Sequence, residues 1–197
     1  MLRLCNITKS FGEKRVLSDV SLCLGKGDVA VLSGMSGGGK TTLLRIAAGL
    51  ESSDLGTVER NGTIAFVFAE ARLFPAFTVL ENVTAVMRGD KRENEEKAKR
   101  ILSSLELSDA FDLYPREISS GMAARVAIAR AMAFDADIYL LDEPFKSLDG
   151  ELKMRVMHDL KTFFATKTVL IISHDEAEAE IMATRRYKLM DGNLLEC

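Results

Sequence analysis

Two kinds of apolar pattern alternate along the chain. Unbroken short runs, Val29-Ala30-Val31-Leu32, Ile138-Tyr139-Leu140-Leu141 and Thr168-Val169-Leu170-Ile171-Ile172, fit strands buried on both faces. Between them lie segments with helical spacing: Leu43 to Ala48 ended by Gly49, Ala98-Ile101-Leu102-Leu105, Ala123 to Phe134, and Leu152-Val156-Leu160-Phe163-Phe164. Residues 2–9 and 16–24 read as strands, with Val20, Leu22 and Leu24 alternating with small or polar positions before the turn Gly25-Lys26-Gly27. Asn61-Gly62 predicts a hairpin turn joining Thr57-Val58-Glu59 to the strand Thr63–Phe68. Thr78 with Glu81 has the spacing of a capping box that opens a helix through Met87. Residues 79–117 therefore read as a mostly helical insertion between sheet elements. The chain closes on a hairpin-like pattern from Tyr187 to Leu195 around Asp191-Gly192.

Composition narrows this picture only modestly. A chain of 197 residues, 47% hydrophobic and 28% charged, suits one compact domain over 1–197 with a sizeable core. No apolar run approaches the ~18 residues of a membrane span. The first residues, Met1 to Asn6, lack the apolar core of a secretory signal. Cys5, Cys23 and Cys197 are an odd, scattered set, which argues against a disulfide framework or a zinc site. A net charge of −3 gives no global attraction to nucleic acid. The run 88–100 holds six basic and four acidic side chains and reads as a solvated surface. A cytoplasmic location is expected.

Chemistry concentrates in one stretch, Gly34-Met35-Ser36-Gly37-Gly38-Gly39-Lys40-Thr41-Thr42, between a buried strand and a helix. It fits G-x-x-x-x-G-K-[ST], in which glycines let backbone N–H groups curl around phosphate and the helix N-terminus adds positive potential. Lys40 would reach the β- and γ-phosphates, and the Thr41 hydroxyl would ligate Mg²⁺. Asp142 and Glu143 end a buried strand, where an α/β sheet gathers its ligands and where adjacent carboxylates need a cation such as Mg²⁺. His174 stands at the end of another core strand. Ser119 reads as an N-cap, compatible with a second anion site. Phe11, placed beside Gly12 in a loop, is on position alone a cover for a sheet edge.

In order and spacing these motifs resemble the ATP-binding-cassette ATPase family over nearly the whole chain, within it the nitrate, sulfonate and taurine importer group. The resemblance implies an α/β fold: a P-loop NTPase core with a mainly parallel sheet, an N-terminal antiparallel β subdomain and an inserted helical subdomain over about 79–117 and the start of the next helix. Gly34–Thr42 resembles Walker A and Ile138–Glu143 Walker B. Ile118-Ser119-Ser120-Gly121-Met122 resembles the signature stretch, Ser147-Leu148-Asp149 the D-loop, and His174 the switch histidine. Phe11 falls on the aromatic position that stacks on adenine. The resemblance further implies ATP and Mg²⁺ as cofactors, Asp142 and Thr41 as metal ligands, and Glu143 as general base. It also implies a homodimer or pseudo-dimer in which Ser119, Gly121 and Asp149 serve the partner's ATP. The ATPase would dock on a separate transmembrane permease at the inner face of the cell membrane, served indirectly by a solute-binding protein. No nucleic-acid partner is implied.

Three positions depart from the family pattern. Ala69 stands where a glutamine usually contacts Mg²⁺ and the attacking water, Ser120 replaces a signature glycine, and Ala124 replaces a usually polar residue. Met122 is a milder change. Lys40, Asp142, Glu143 and His174 all remain. Two other readings stay open: an ATP-gated dimerising module with little hydrolysis, and a soluble ABC ATPase acting on ribosomes or DNA.

Overall fold

The computed structural model of the protein describes residues 1–148 and 150–197; Asp149 lies outside the described residues. Strands β1 (Leu2–Phe11), β2 (Lys14–Leu24) and β4 (Leu55–Arg60) form an antiparallel sheet in the order β2-β1-β4. A second sheet has the order β5-β6-β7-β3-β8-β9. Its strands are β5 (Ile64–Val67), β6 (Ile138–Asp142), β7 (Thr168–Ile172), β3 (Val29–Gly34), β8 (Arg185–Met190) and β9 (Asn193–Glu196). All its pairings are parallel except β8 with β9.

The unbroken apolar runs are these central strands. Every residue of β6 and β7 is buried, and alternate side chains serve two separate cores. Tyr139, Leu141, Val169 and Ile171 join one core with Val126, Ile128 and Ala129 of α4 (Ser120–Phe134) and Val156, Leu160 and Phe164 of α5 (Gly150–Phe164). Ile138, Leu140, Leu170 and Ile172 join the other with Leu43, Leu44 and Ile46 of α1 (Lys40–Ala48) and the inner faces of β1 and β2. Each fully buried aliphatic side chain stabilises by about 1.5–3 kcal/mol, so a one-residue register slip, which exchanges the faces, is strongly disfavoured.

The helical insertion comprises α2 (Val79–Thr84), α3 (Lys91–Ser104) and short 3-10 turns over Ser108–Ala110 and Pro115–Glu117. The Thr78–Glu81 capping box is present, but α2 ends at Thr84 rather than continuing to Met87. The mixed-charge run lies largely on the exposed face of α3, with pairs Lys91–Glu95 and Arg92–Glu96. Buried Arg125 ties the insertion to α4 by donating through Nη1 to the carbonyls of Leu105 (2.7 Å) and Glu106 (3.0 Å).

One expectation is corrected. Asn61-Gly62 is not the turn of a hairpin, because β4 and β5 belong to different sheets. Gly62 does take a positive φ of 125°. However, Asn61 N–H donates to the Met1 carbonyl and Thr63 N–H to the Asp137 carboxylate, so the turn passes the chain from one sheet to the other. Helix α6 (Glu176–Met182) was not foreseen; its acidic sequence carries little apolar periodicity, and buried Glu178 and Met182 face inward. No helix among the described residues is long and apolar enough to cross a membrane. Cys5, Cys23 and Cys197 carry free thiols.

Arg130 of α4 donates to the Ala71 and Arg72 carbonyls at the start of the loop from Ala69 to Phe77, and its second half is anchored by Asn82 of α2, which is fully buried. Its Oδ1 accepts the Phe74 N–H at 2.8 Å. Its amide donates to the carbonyls of Phe74 (3.1 Å), Phe77 (3.1 Å) and Thr78 (2.9 Å). Removing these groups leaves several backbone atoms without partners, so Asn82→Ala is expected to cost about 3 kcal/mol. Thermal melts should show the midpoint fall by roughly 6–12 °C; a fall under about 2 °C would contradict the anchoring role.

Candidate active site

Strand β3 delivers the glycine loop and α1 carries it away. Gly34 has φ 138°, and a Cβ built there would lie 2.3 Å from the Leu189 carbonyl oxygen of β8. Gly39 has φ 96°, and a Cβ would lie 2.7 Å from the Val16 carbonyl oxygen of β2. Packing against neighbouring strands thus requires both glycines. Gly39 is the N-cap of α1 and brings no side-chain hydrogen bond, which leaves the first N–H groups of α1 to an anion. Buried Lys40 folds over the loop, with Nζ donating to the carbonyls of Gly34 (2.9 Å) and Met35 (2.8 Å). Burial lowers its pKa, against the attraction of Glu143 and Asp142.

Thr41, the second residue of α1, meets Asp142, the last of β6. The Thr41 hydroxyl lies 3.1 and 3.4 Å from the two carboxylate oxygens of Asp142. Burial raises the Asp142 pKa; the Thr41 hydrogen bond opposes this, and Arg45 and Lys40 only offset it at a distance. A buried carboxylate beside a hydroxyl is a hard oxygen pair that suits Mg²⁺, which usually completes its shell with phosphate and water.

Glu143 leaves β6 in the left-handed region, φ 46°, a conformation that costs an L-residue roughly 1–2 kcal/mol. The turn aims its carboxylate away from the core. Oε1 lies 3.0 Å from Nε2 of His174 and Oε2 lies 3.2 Å from Nζ of Lys146. His174 stands at the end of β7, one strand over, with its side chain 44% exposed. Phe11 is the last residue of β1, paired with Lys14, not part of a loop. Its ring is half exposed, and Lys9 Nζ sits 5.1 Å from the centroid. Glu51 (2.9 Å) and Asp54 (3.5 Å) hold that ammonium in place.

One cavity of about 220 Å³ unites these groups, lined by Phe11, Ser36, Gly37, Gly39, Lys40, Thr41, Thr42, Glu143 and His174. Gly34 and Met35 line an adjoining cavity of about 550 Å³, which Ser36, Glu143 and His174 share. Gly38 closes the loop through its N–H to the Met35 carbonyl. Ser119 and Gly121 line neither cavity; Ser119 caps α4 through the Met122 N–H, and Gly121 packs beneath the Ser147 carbonyl. Lys146 and Lys9 escaped the sequence reading. Lys146 follows Glu143 by three residues and was visible in principle; Lys9 needed the pairing of distant segments.

Lys40 is the cation inside the glycine loop, and charge-assisted hydrogen bonds contribute about 1.5–3 kcal/mol each. Lys40→Ala is therefore expected to weaken nucleoside triphosphate binding at least about 100-fold by calorimetry. Unchanged affinity would overturn the reading of this loop.

The comparisons with known proteins agree with this geometry. The ABC transporter family profile matches residues 17–146. Sulfate/thiosulfate import ATP-binding protein CysA of Shigella flexneri is 36% identical over 217 residues, covering 98% of this chain and 58% of that protein. Aliphatic sulfonates import ATP-binding protein SsuB of Corynebacterium glutamicum is 39% identical over 191 residues, covering 94% of this chain and 79% of that protein. A dimeric ATP-binding cassette solved in a post-hydrolysis state with ADP and Pi superposes with a TM-score of 0.92 at 31% identity, covering 100% of this chain and 98% of that one. The chain thus spans little more than half the length of the sulfate/thiosulfate relatives. With the glycine loop, Glu143 and His174 meeting in one cavity, Asp142 held beside it by Thr41, and these matches across its length, the chain belongs to the ABC transporter family.

Proposed function

We propose that this chain binds and hydrolyses ATP and drives import of a small solute through a separate membrane permease. The observation that carries the reading is the single cavity bounded by an aromatic ring, the glycine loop, Lys40, Thr41, Glu143 and His174. Adenine stacks on Phe11, whose half-exposed ring lines the cavity. The loop amides, the α1 N-terminus and Lys40 take the phosphates and neutralise charge that develops on transfer. Asp142 and Thr41 would hold Mg²⁺, which would supply neutralisation of phosphate charge. Glu143 takes a proton from the attacking water as general base. His174, donating from Nε2 to Glu143 Oε1, fixes that carboxylate and stands beside the γ-phosphate.

Ser119 and Gly121 line neither of these two cavities, which suits service to ATP held by a second copy. Two copies would enclose two ATP molecules, with Asp149, which lies outside the described residues, at the same interface. The named relatives transport sulfate, thiosulfate and aliphatic sulfonates, so the solute proposed here is a small sulfur oxyanion or sulfonate, delivered by a solute-binding protein. The ATPase would sit on the inner face of the membrane.

A second reading, a dimerising module with little hydrolysis, draws on Ala69. That residue is exposed, two positions past the Val67–Leu141 pair, level with Glu143 on the next strand. Its methyl group offers no oxygen to Mg²⁺ or to water.

Glu143→Gln separates binding from chemistry. It is expected to slow phosphate release at least about 100-fold while retaining ATP affinity, and to accumulate an ATP-stabilised dimer detectable by light scattering. Wild-type turnover in this variant would remove Glu143 as the base. Ala69→Gln restores an orienting oxygen. With the permease reconstituted and ATP saturating, it should raise kcat by roughly tenfold, equivalent to about 1.4 kcal/mol, with ATP affinity nearly unchanged. Equal or lower turnover would refute a limit set by Ala69.

A further inference from the structure

Among the described residues His174 has one polar partner, the carboxylate of Glu143, and nearly half of its side chain is exposed. Packing therefore does little to orient the imidazole. Its position is decided by the backbone of its two neighbours, and both neighbours belong to a compact charged network. The Ser173 hydroxyl donates to Oε2 of Glu178 at 2.5 Å and accepts the Asp175 N–H at 3.0 Å. Asp175 caps α6 by accepting the Ala177 N–H at 2.9 Å. Lys153 reaches across from α5. Its ammonium lies 2.6 Å from Asp175 Oδ2 and 2.5 Å from Glu178 Oε1.

Ser173 and Glu178 are 3% and 5% exposed, so this half of the network is buried, while Asp175 forms its exposed end. Glu178 uses both carboxylate oxygens, one for Ser173 and one for Lys153. A carboxylate this buried needs such partners. Lys153 supplies the cation in ion-pair contact with it. The Asp175 carboxyl is held below its usual range, chiefly by the hydrogen bond from Lys153. All four members of the network line the 550 Å³ cavity together with Glu143 and His174.

We propose that Lys153 is a positioning residue for catalysis: through Glu178 and Asp175 it clamps Ser173 and Asp175 on either side of His174 and so aims the imidazole at Glu143. This rests on the role given above to His174. Without the Lys153 ammonium, the Asp175 and Glu178 carboxylates lose the cation they share, and the segment 173–175 loses the tie that joins it to α5. Glu143 then loses its aligned partner while the phosphate loop, on β3 and α1, is untouched. Turnover suffers and nucleotide binding does not.

The test compares Lys153→Met, Lys153→Arg, the double variant Lys153→Met/Glu178→Gln and His174→Ala. Phosphate release, ATP affinity by calorimetry and the thermal midpoint are measured on each. Lys153→Met should lower kcat roughly tenfold, as a small misplacement of a reacting group does, with ATP affinity within about twofold of wild type. Lys153→Arg should restore most of the rate, since it returns a cation with several donors. In the double variant no buried charge is left unpaired, so its thermal midpoint should return towards wild type while kcat stays low. A rate that recovers together with the midpoint would mean that Lys153 acts only through fold stability and would overturn the proposal. Loss of turnover in His174→Ala but not in Lys153→Met would overturn it while leaving the reading of the site intact. Full turnover in His174→Ala would overturn both.

Discussion

The constraint on which the rest of this molecule depends is that its central strands are covered on both faces. β6, β7 and β3 divide their side chains between two apolar cores, so charged groups are confined to their ends. Function is consequently confined to the ends of the strands. The glycine loop leaves β3, Asp142 and Glu143 leave β6, and His174 leaves β7, all at the same edge of one sheet. Parallel pairing in register holds these exits side by side. The two cores therefore act as the jig that sets Glu143 3.0 Å from His174, although these residues are 31 positions apart in the chain.

Each strand-end residue also has a local device that turns it outward. Glu143 uses a left-handed backbone, His174 is bracketed by two hydrogen-bonded neighbours, and Lys40 begins a helix whose cap contributes no side chain. At the far end of α1, Arg60 donates to the carbonyls of Ala47 and Ile46 at 2.7 Å each, joining the antiparallel sheet to the phosphate-loop helix. Phe11 and the glycine loop are thus carried by two sheets that this helix helps to couple.

Much of this was legible in the sequence because the signals are local. The runs at 138–142 and 168–172, the Ser119 cap and the Thr78–Glu81 box each depend on residues within a few positions of one another, and each appears where expected. Where a feature depends on distant partners the reading failed or was silent. Asn61-Gly62 carried correct turn chemistry, yet its flanking strands pair with β1 and β6 rather than with each other. Helix α6 is short and acidic, and it is secured by Lys153 from another helix, a tie that no periodicity encodes. The cation beneath Phe11 depends on carboxylates some 40 residues further along the chain.

The glycines of the phosphate loop carry a wider implication. Gly34 and Gly39 are demanded by the carbonyls of Leu189 and Val16, which belong to neighbouring strands rather than to any ligand. The loop's shape is therefore built into the fold, and nucleotide need not create it. A descendant of this chain that had ceased to bind nucleotide would remain under pressure to keep both glycines, for the sake of its sheets. In such lineages the glycine pattern would outlive the activity, and Lys40 and Glu143, which no neighbouring backbone requires for space, would be the first to drift.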